Sequence, residues 1–129
     1  MKILVLAMAI LAGPVLADED PLAQFEWAAR PLVVFAPSEA DPRFVKQMAW
    51  IEERSAELAE RDVIVLSDTD PSARGPLRRA LRPFDFQIVL IGKDGDVKLR
   101  KPSPWDVREL SRAIDKMPMR QQEIDALRN

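Results

Sequence analysis

Oxygen-bearing side chains follow two predicted strands at the points where each strand ends. Ser38, Glu39 and Asp41 come after the apolar run at residues 32–36, and Asp68 and Asp70 come after the apolar run at residues 63–66. Because neighbouring parallel strands place their carboxyl ends at one edge of a sheet, we expect these side chains at the same edge, where α/β sheets often bind ligands. Carboxylates there could hold Ca²⁺, or act as general acid and base if burial raised a pKa.

The same residues also have simpler structural explanations. Ser38 lacks a histidine to activate it as a nucleophile, because the chain contains none, and it is expected to start a turn. Asp41 precedes Pro42 as a helix N-cap, and Asp68 and Asp70 shape a loop. No EF-hand-like spacing is present. The sequence therefore assigns no catalytic residue, no metal ligand and no cofactor, and keeps this acidic edge as a candidate ligand site.

Two further features are candidates for an interface. Trp50 lies away from the apolar stripe of its predicted helix, and tryptophan is enriched at binding hot spots; packing within the domain is the alternative. A basic group surrounds a short predicted helix, where Arg78 and Arg82 are one turn apart. These arginines would face an acidic partner or an anionic envelope surface, or would form a solvated helix face with ion pairs.

Composition removes several classes of chemistry. The chain of 129 residues has no cysteine and no histidine, so it lacks a thiolate for disulfide exchange and an imidazole for proton transfer. Its formal net charge of −2 disfavours nucleic acid as a partner. Without disulfides, its stability has to come from an apolar core.

Residues 1–17 have the pattern of a removable export signal. Lys2 is a short positive region, an apolar run covers residues 3–11, and small or apolar residues suit cleavage after Ala17. The run is too short to span a bilayer, which needs ~20 apolar residues. Cleavage would remove Lys2 and leave a net charge of −3. The sequence predicts a periplasmic or secreted protein without a stable membrane anchor, and an unknown envelope or extracellular protein as its partner.

Hydrophobic patterns predict one domain over residues 18–129. Continuous apolar runs predict buried strands, and helical spacing predicts helices. The predicted strands are 32–36, 63–66, 86–91 and 97–100; the predicted helices are 42–61, 76–82 and one with Ser103 as N-cap and Pro104 as first residue. Pro118 either kinks or ends the last helix. The core of the domain is expected at about residues 22–118. A polar tail over residues 119–129 follows it, and this tail could be helical.

The predicted element order is β-α-β-α-β-β-α. The first two strands, joined by a helix, require a right-handed parallel crossover, and the last two form a hairpin around the Asp94-Gly95 turn. With a closing helix, this order gives a three-layer α/β sandwich around a mixed four-stranded sheet. That arrangement is the core of the thioredoxin fold, here behind a cleaved signal peptide.

Several segments carry a resemblance to a known family. They are 25–30, 34–38, 89–100 and 117–120, and the most specific parts are Ile-Gly-Lys-Asp-Gly at 91–95 and Met-Pro-Met-Arg at 117–120. Over about residues 22–124 the chain resembles the domain-of-unknown-function 4174 family. The resemblance implies a thioredoxin-like, largely secreted domain that occurs in small bacterial exported proteins and in sushi-repeat and matrix-associated animal proteins. It implies no activity and adds no catalytic residue.

The resemblance to thioredoxins also locates the place of their reactive cysteines. That place, between the first strand and its helix, is residues 36–43 here and has no thiol, which excludes disulfide exchange and cysteine-based peroxide reduction. Pro83 lies near the position of the thioredoxin cis-proline, but a trans bond is expected.

Three hypotheses follow for the function. The leading one is an exported, redox-inactive thioredoxin-like binding module. The alternative is an enzyme that uses carboxylates, with or without a divalent cation, at the acidic edge. The third is a structural envelope protein that has no small ligand. The sequence leaves the oligomeric state open.

Overall fold

A computed structural model describes residues 20–128. In this range the strands are β1 (Arg30–Phe35), β2 (Val63–Asp68), β3 (Gln87–Ile91) and β4 (Val97–Lys101). The helices are α1 (Pro42–Glu53), α2 (Ser55–Glu60), α3 (Pro76–Leu81), α4 (Val107–Asp115) and α5 (Pro118–Arg128), with 3₁₀ turns at Ala23–Phe25 and Pro71–Ala73. The predicted export signal, residues 1–17, lies outside the described residues. Within 20–128, the helices are too short or too polar to cross a bilayer.

β1 is the centre of the sheet, because two strands pair with it. β2 lies parallel to β1, β3 lies antiparallel to it, and β4 pairs with β3, which gives the order β2-β1-β3-β4. Val33 pairs with Leu66 on one side and with Val89 on the other. The predicted parallel crossover and the predicted terminal hairpin are both present.

Each face of the sheet carries its own apolar cluster, since successive β1 side chains point in opposite directions. Val34 belongs to a cluster that includes Ile114 of α4. Phe35 belongs to a second cluster that includes Leu81 of α3. All six residues of β1 are buried, and fully burying an apolar side chain of this size contributes about 1.5–3 kcal/mol. Helices on both faces are therefore needed to cover β1, which makes the fold three layers deep.

The predicted helix over residues 42–61 is two helices, separated at Arg54. The Arg54 backbone leaves helical geometry, with φ −126° and ψ 34°, and its N–H donates to the Ile51 carbonyl three residues back. Ile51 and Leu58 are both buried in the first cluster. Residues seven apart share a helix face, so their spacing does not reveal the break between them.

β2 is an edge strand and is only partly buried, whereas its apolar run predicts a buried strand. β1 covers one side of it, and among residues 20–128 no strand pairs with the other side. Val63 is buried, whereas the side chain of Ile64 is 38% exposed. An apolar run alone does not tell an edge strand from a central one.

Helix α4 starts later than predicted, with Asp106 rather than Ser103 as its N-cap. The Asp106 carboxylate accepts a hydrogen bond from the Arg108 N–H. The residue before it, Trp105, is held by the buried side chain of Gln47, which accepts from the Trp105 N–H at 2.7 Å and donates to its carbonyl at 3.0 Å. This pair of bonds occupies the backbone of Trp105, so the helix begins after it.

Pro118 starts a new helix instead of kinking the previous one. It is the first residue of α5, a position that suits proline because no intrahelical N–H is needed there. The segment predicted as a polar tail is therefore helical up to Arg128, and Arg120 within it is buried. The peptide bonds between residues 20 and 128 are all trans, including the bond before Pro83.

We predict that Gln47→Leu destabilises the protein by about 1–3 kcal/mol, because the partly buried N–H and carbonyl of Trp105 would lose their partners. Urea unfolding at neutral pH measures the change. Gln122→Leu, at an exposed position of α5, is the matched control and should change stability by less than about 0.5 kcal/mol. Equal effects of the two substitutions would contradict a docking role for Gln47.

Candidate functional site

The residues of the acidic edge follow the carboxyl ends of β1 and β2, and two of their carboxylates, Asp41 and Asp68, are paired with arginines. Phe35 pairs with Asp68 in the sheet, and the Ala36 N–H donates to the Asp68 carbonyl. The Asp68 carboxylate accepts from Arg78 Nε at 2.8 Å, and the two side chains are 14% and 12% exposed. This buried pair closes the loop rather than leaving a free carboxylate.

Asp41 is committed to the start of α1. Its carboxylate accepts from the Arg43 N–H at 2.9 Å and from the Arg43 guanidinium at 2.9 and 2.7 Å. Hydrogen bonds from the Arg43 side chain hold the pKa of Asp41 at about 2, below its ordinary 3.8. Arg43 also binds Asp85 at 2.7 Å, which lowers the pKa of that carboxyl as well. Such ionised carboxylates are poor general acids or bases at neutral pH.

The remaining residues of the acidic edge do not complete a ligand site. Ser38 and Glu39 are exposed, and Asp70 accepts from the Ser72 hydroxyl at 2.8 Å within its own turn. Among residues 20–128, no group of three or more acidic, histidine or cysteine side chains is arranged to hold a metal ion. The alternative enzyme hypothesis requires the carboxylates of the acidic edge to converge on one site, and they do not do so among residues 20–128.

Of the three residues predicted as an interface, Arg82 is exposed, whereas Trp50 and Arg78 are partly buried. Trp50 is partly buried against the first apolar cluster, with the Lys46 ammonium 4.9 Å from its ring centroid. The Arg78 side chain is 12% exposed: its guanidinium lies 5.3 Å from the Phe35 ring centroid and donates to backbone carbonyls. Arg82 is exposed and ends α3 with a positive φ of 49°.

A different cluster, which the sequence analysis did not identify, surrounds Arg30 at the opposite end of the sheet. The Arg30 side chain is 1% exposed at the first residue of β1. Its Nη1 donates to the Arg61 carbonyl at 2.8 Å, and its two terminal nitrogens bind both oxygens of Glu123 at 3.2 and 3.0 Å. A buried charge needs such pairing, because removing one partner leaves the other charge uncompensated.

Glu123 is shared by three basic side chains. Besides Arg30, it accepts from Lys93 at 2.8 Å and from Arg120 at 3.3 Å. Burial by itself raises the pKa of the Glu123 carboxyl, but the hydrogen bonds from Arg30 and Lys93 outweigh burial and hold this pKa at about 2, against an ordinary 4.5. Lys93 also binds Asp62 at 2.8 Å, so the β3–β4 turn, α5 and the start of β2 meet here.

Asp115 extends this cluster to α4. It accepts from Arg61 at 3.0 and 2.8 Å and from Arg120 at 3.1 Å. Hydrogen bonds from Arg61 first, and from Arg120 second, lower the pKa of Asp115. We call the group of Arg30, Arg61, Asp62, Lys93, Asp115, Arg120 and Glu123 the Arg30 network.

A cavity of about 220 Å³ lies beside the Arg30 network. It is lined by Arg30, Gly92, Lys93, Asp94, Lys98, Met117, Pro118 and Met119. Its walls are mostly apolar, and its charged groups come from β1 and the hairpin. A Cβ at Gly92 would lie 2.4 Å from Lys98 Cε and 2.9 Å from Asp94 Oδ1, so a side chain here would displace the Lys98 and Asp94 side chains that line the cavity.

The exposed indole of Trp27 belongs to the same end of the molecule. Its backbone N–H donates to the Lys93 carbonyl at 2.7 Å, and its side chain is 66% exposed. Trp27 has a positive φ of 66°, a conformation that bulky residues rarely adopt. Three of the segments that carried the family resemblance, 25–30, 89–100 and 117–120, therefore contribute residues to one cavity.

Comparisons with known proteins agree with the fold. The family model described as "Domain of unknown function (DUF4174)" matches residues 21–123. Coiled-coil domain-containing protein 80 of Danio rerio is 29% identical over 136 residues, which cover 82% of this chain but only 16% of that protein. The chain is thus similar to a small part of a much longer relative.

Two solved structures have the same fold at low sequence identity. The reduced 2-Cys peroxiredoxin of Plasmodium vivax has a TM-score of 0.63 and 16% identity, over 78% of this chain and 84% of that one. A secreted Mycobacterium tuberculosis disulfide oxidoreductase, homologous to E. coli DsbE, has a TM-score of 0.53 and 14% identity, over 74% and 86%. The predicted thioredoxin-like α/β fold is confirmed.

We predict that Glu123→Gln destabilises the protein by about 3 kcal/mol at pH 7, because buried Arg30 would lose the carboxylate that pairs with it. Urea unfolding measures the loss. Glu109→Gln is the matched control: Glu109 pairs with Arg112 on the exposed face of α4, and such surface pairs contribute less than about 1 kcal/mol.

The same variant has a defined pH dependence. The pKa of Glu123 is about 2 in the folded protein and near 4.5 when unfolded, so its stabilisation is fully present above pH 4.5 and is lost as the pH falls toward 2. The stability difference between wild type and Glu123→Gln should shrink over this window. A difference that stays constant down to pH 2 would contradict the ionised network.

Proposed function

Because the chain belongs to the DUF4174 family and has a thioredoxin-like fold, we propose that it is an exported binding module that performs no thiol redox chemistry. Thiol–disulfide exchange and thiol peroxidase activity both need a cysteine thiolate. The chain has no cysteine, although the peroxiredoxin and the oxidoreductase that share its fold are named for such chemistry. The fold would therefore serve here a role other than thiol redox chemistry.

The observation that supports binding is the meeting of family segments around the cavity with Trp27 beside it. The cavity is concave and mostly apolar, with a few charged groups, which is the usual composition of a binding site. An exposed tryptophan next to it is the residue type most enriched at interface hot spots. We name the surface formed by Trp27, Lys93, Lys98, Met117 and Met119 the Trp27 surface. Its proposed partner is an envelope or extracellular protein.

A photo-crosslinker in place of Trp27, in the full chain expressed in its native host, tests the binding role. The matched control carries it in place of Val45, which is 55% exposed on α1. We expect one defined adduct from position 27 only, and binding of the purified partner that Trp27→Ala weakens at least tenfold, as is typical of a hot-spot residue. No adduct, or the same adducts from both positions, would overturn the Trp27 surface and favour a purely structural role.

Export has an independent test. If residues 1–17 are a signal, the mature protein begins at Asp18 and is recovered from the periplasm or the medium. Intact-mass measurement of the fractionated protein checks both points. Replacing Leu6 by Arg interrupts the apolar run and should leave the unprocessed chain in the cytoplasm. An intact N-terminus on exported wild-type protein, or a cytoplasmic location, would contradict the signal.

A further inference from the structure

The guanidinium of Arg30 has hydrogen-bonding capacity that the protein does not use. An arginine side chain carries five N–H donors. Both Nη1 donors and one Nη2 donor are taken up by the Arg61 carbonyl and by Glu123. The Nε–H and the second Nη2–H have no acceptor among residues 20–128, although the side chain is 1% exposed and lines the cavity. Unpaired donors on a buried charge are costly, which favours a site that supplies an acceptor.

The two lysines of the cavity also have donors left. Lys93 gives two of its three N–H groups to Asp62 and Glu123, and Lys98 gives one to Asp94 at 2.7 Å. Lys98 is the most accessible of the three cations, with 31% of its side chain exposed. The cavity is thus lined by three basic side chains that can each donate at least one more hydrogen bond.

The placement of charge in this region favours an anion in the cavity. The basic side chains of the Arg30 network are largely buried. Their exposed fractions are 1% for Arg30, 7% for Arg120, 11% for Lys93 and 14% for Arg61. Their carboxylate partners are nearer to water, from 25% for Glu123 to 51% for Asp62. Solvent screens exposed charges more strongly than buried ones. The Arg30 network holds four basic side chains and three carboxylates, and the cavity itself is lined by three basic side chains and one carboxylate, Asp94. The net potential inside the cavity is therefore positive.

The walls and the size of the cavity limit which anions can bind in it. Met117, Pro118 and Met119 form an apolar side, and methionine adapts to ligand shape. A volume of about 220 Å³ is below the roughly 300–1,000 Å³ of drug-sized sites. It suits one residue-sized group. A phosphate would place a strongly hydrated dianion against the apolar walls, so a carboxylate is the better match.

We propose that this cavity binds a carboxylate attached to an apolar group of about the size of one aliphatic side chain. Lys98 and the spare donors of Arg30 and Lys93 bind the carboxylate, and Met117 and Met119 contact the apolar group. A free small acid and the C-terminal residue of a polypeptide share this chemistry. The proposal deepens the binding role proposed above and gives it a ligand class.

Titration of ¹⁵N-labelled protein with N-acetyl-L-leucine, followed by NMR, tests the proposal. We expect saturable shifts at Gly92, Lys98 and Met119, and at least tenfold weaker binding of N-acetyl-L-leucinamide, which lacks the carboxylate. Lys98→Gln should weaken binding about tenfold through loss of a charge-assisted hydrogen bond. Arg100→Gln removes the same charge from an exposed position of β4 and should leave the affinity unchanged.

A second ligand distinguishes a free small acid from the C-terminus of a polypeptide as the source of the carboxylate. Gly-Gly-Gly-Leu with a free C-terminus should bind more tightly than N-acetyl-L-leucine if the ligand is a polypeptide end, and equally if it is a free acid. Equal affinity for acid and amide, or shifts that do not involve the cavity, would overturn the proposal. Crosslinking at position 27 without carboxylate binding would leave the binding module intact and remove only this ligand class.

Discussion

The buried guanidinium of Arg30 is the constraint on which this arrangement depends. A charge that is 1% exposed needs a partner of opposite charge in place. Because Arg30 is the first residue of the central strand, its partner Glu123 fixes α5 against the sheet. Its bond to the Arg61 carbonyl fixes the turn before β2. Through Glu123 the same constraint reaches Lys93 and the β3–β4 turn, so one ion pair organises the elements that form the cavity.

The two ends of the sheet use charge in opposite ways. At the carboxyl end of β1, Arg43 and Arg78 bind the carboxylates of Asp41 and Asp68 and stabilise the loops. At the other end, the cations lie deeper than their carboxylate partners, and Arg30 retains unused donors. The edge where α/β sheets usually bind ligands is thus closed by ion pairs. The opposite end has the cavity and the exposed Trp27.

Local patterns in the sequence predict much of the fold, but not this site. The continuous apolar run in β1 and the Asp94-Gly95 turn predict the central strand and the hairpin, because strand burial and turn geometry are short-range properties. Arg30 and Glu123 are 93 positions apart, and no spacing rule joins them. The late start of α4 depends on a contact with Gln47, 58 positions away from Trp105. The family segments marked the residues around the cavity, but only the structure shows that they meet.

A double-mutant cycle between Arg30 and Glu123 tests the central claim most directly. Arg30→Met and Glu123→Leu would be made singly and together, and unfolding free energies measured in urea. If the pair organises this end of the molecule, Glu123→Leu leaves the buried Arg30 charge without its carboxylate, and Arg30→Met leaves Glu123 to Lys93 and Arg120 alone among its basic partners. The double variant then recovers a coupling energy of about 2 kcal/mol or more. Strictly additive losses would contradict the account, because Arg30 and Glu123 would then contribute independently.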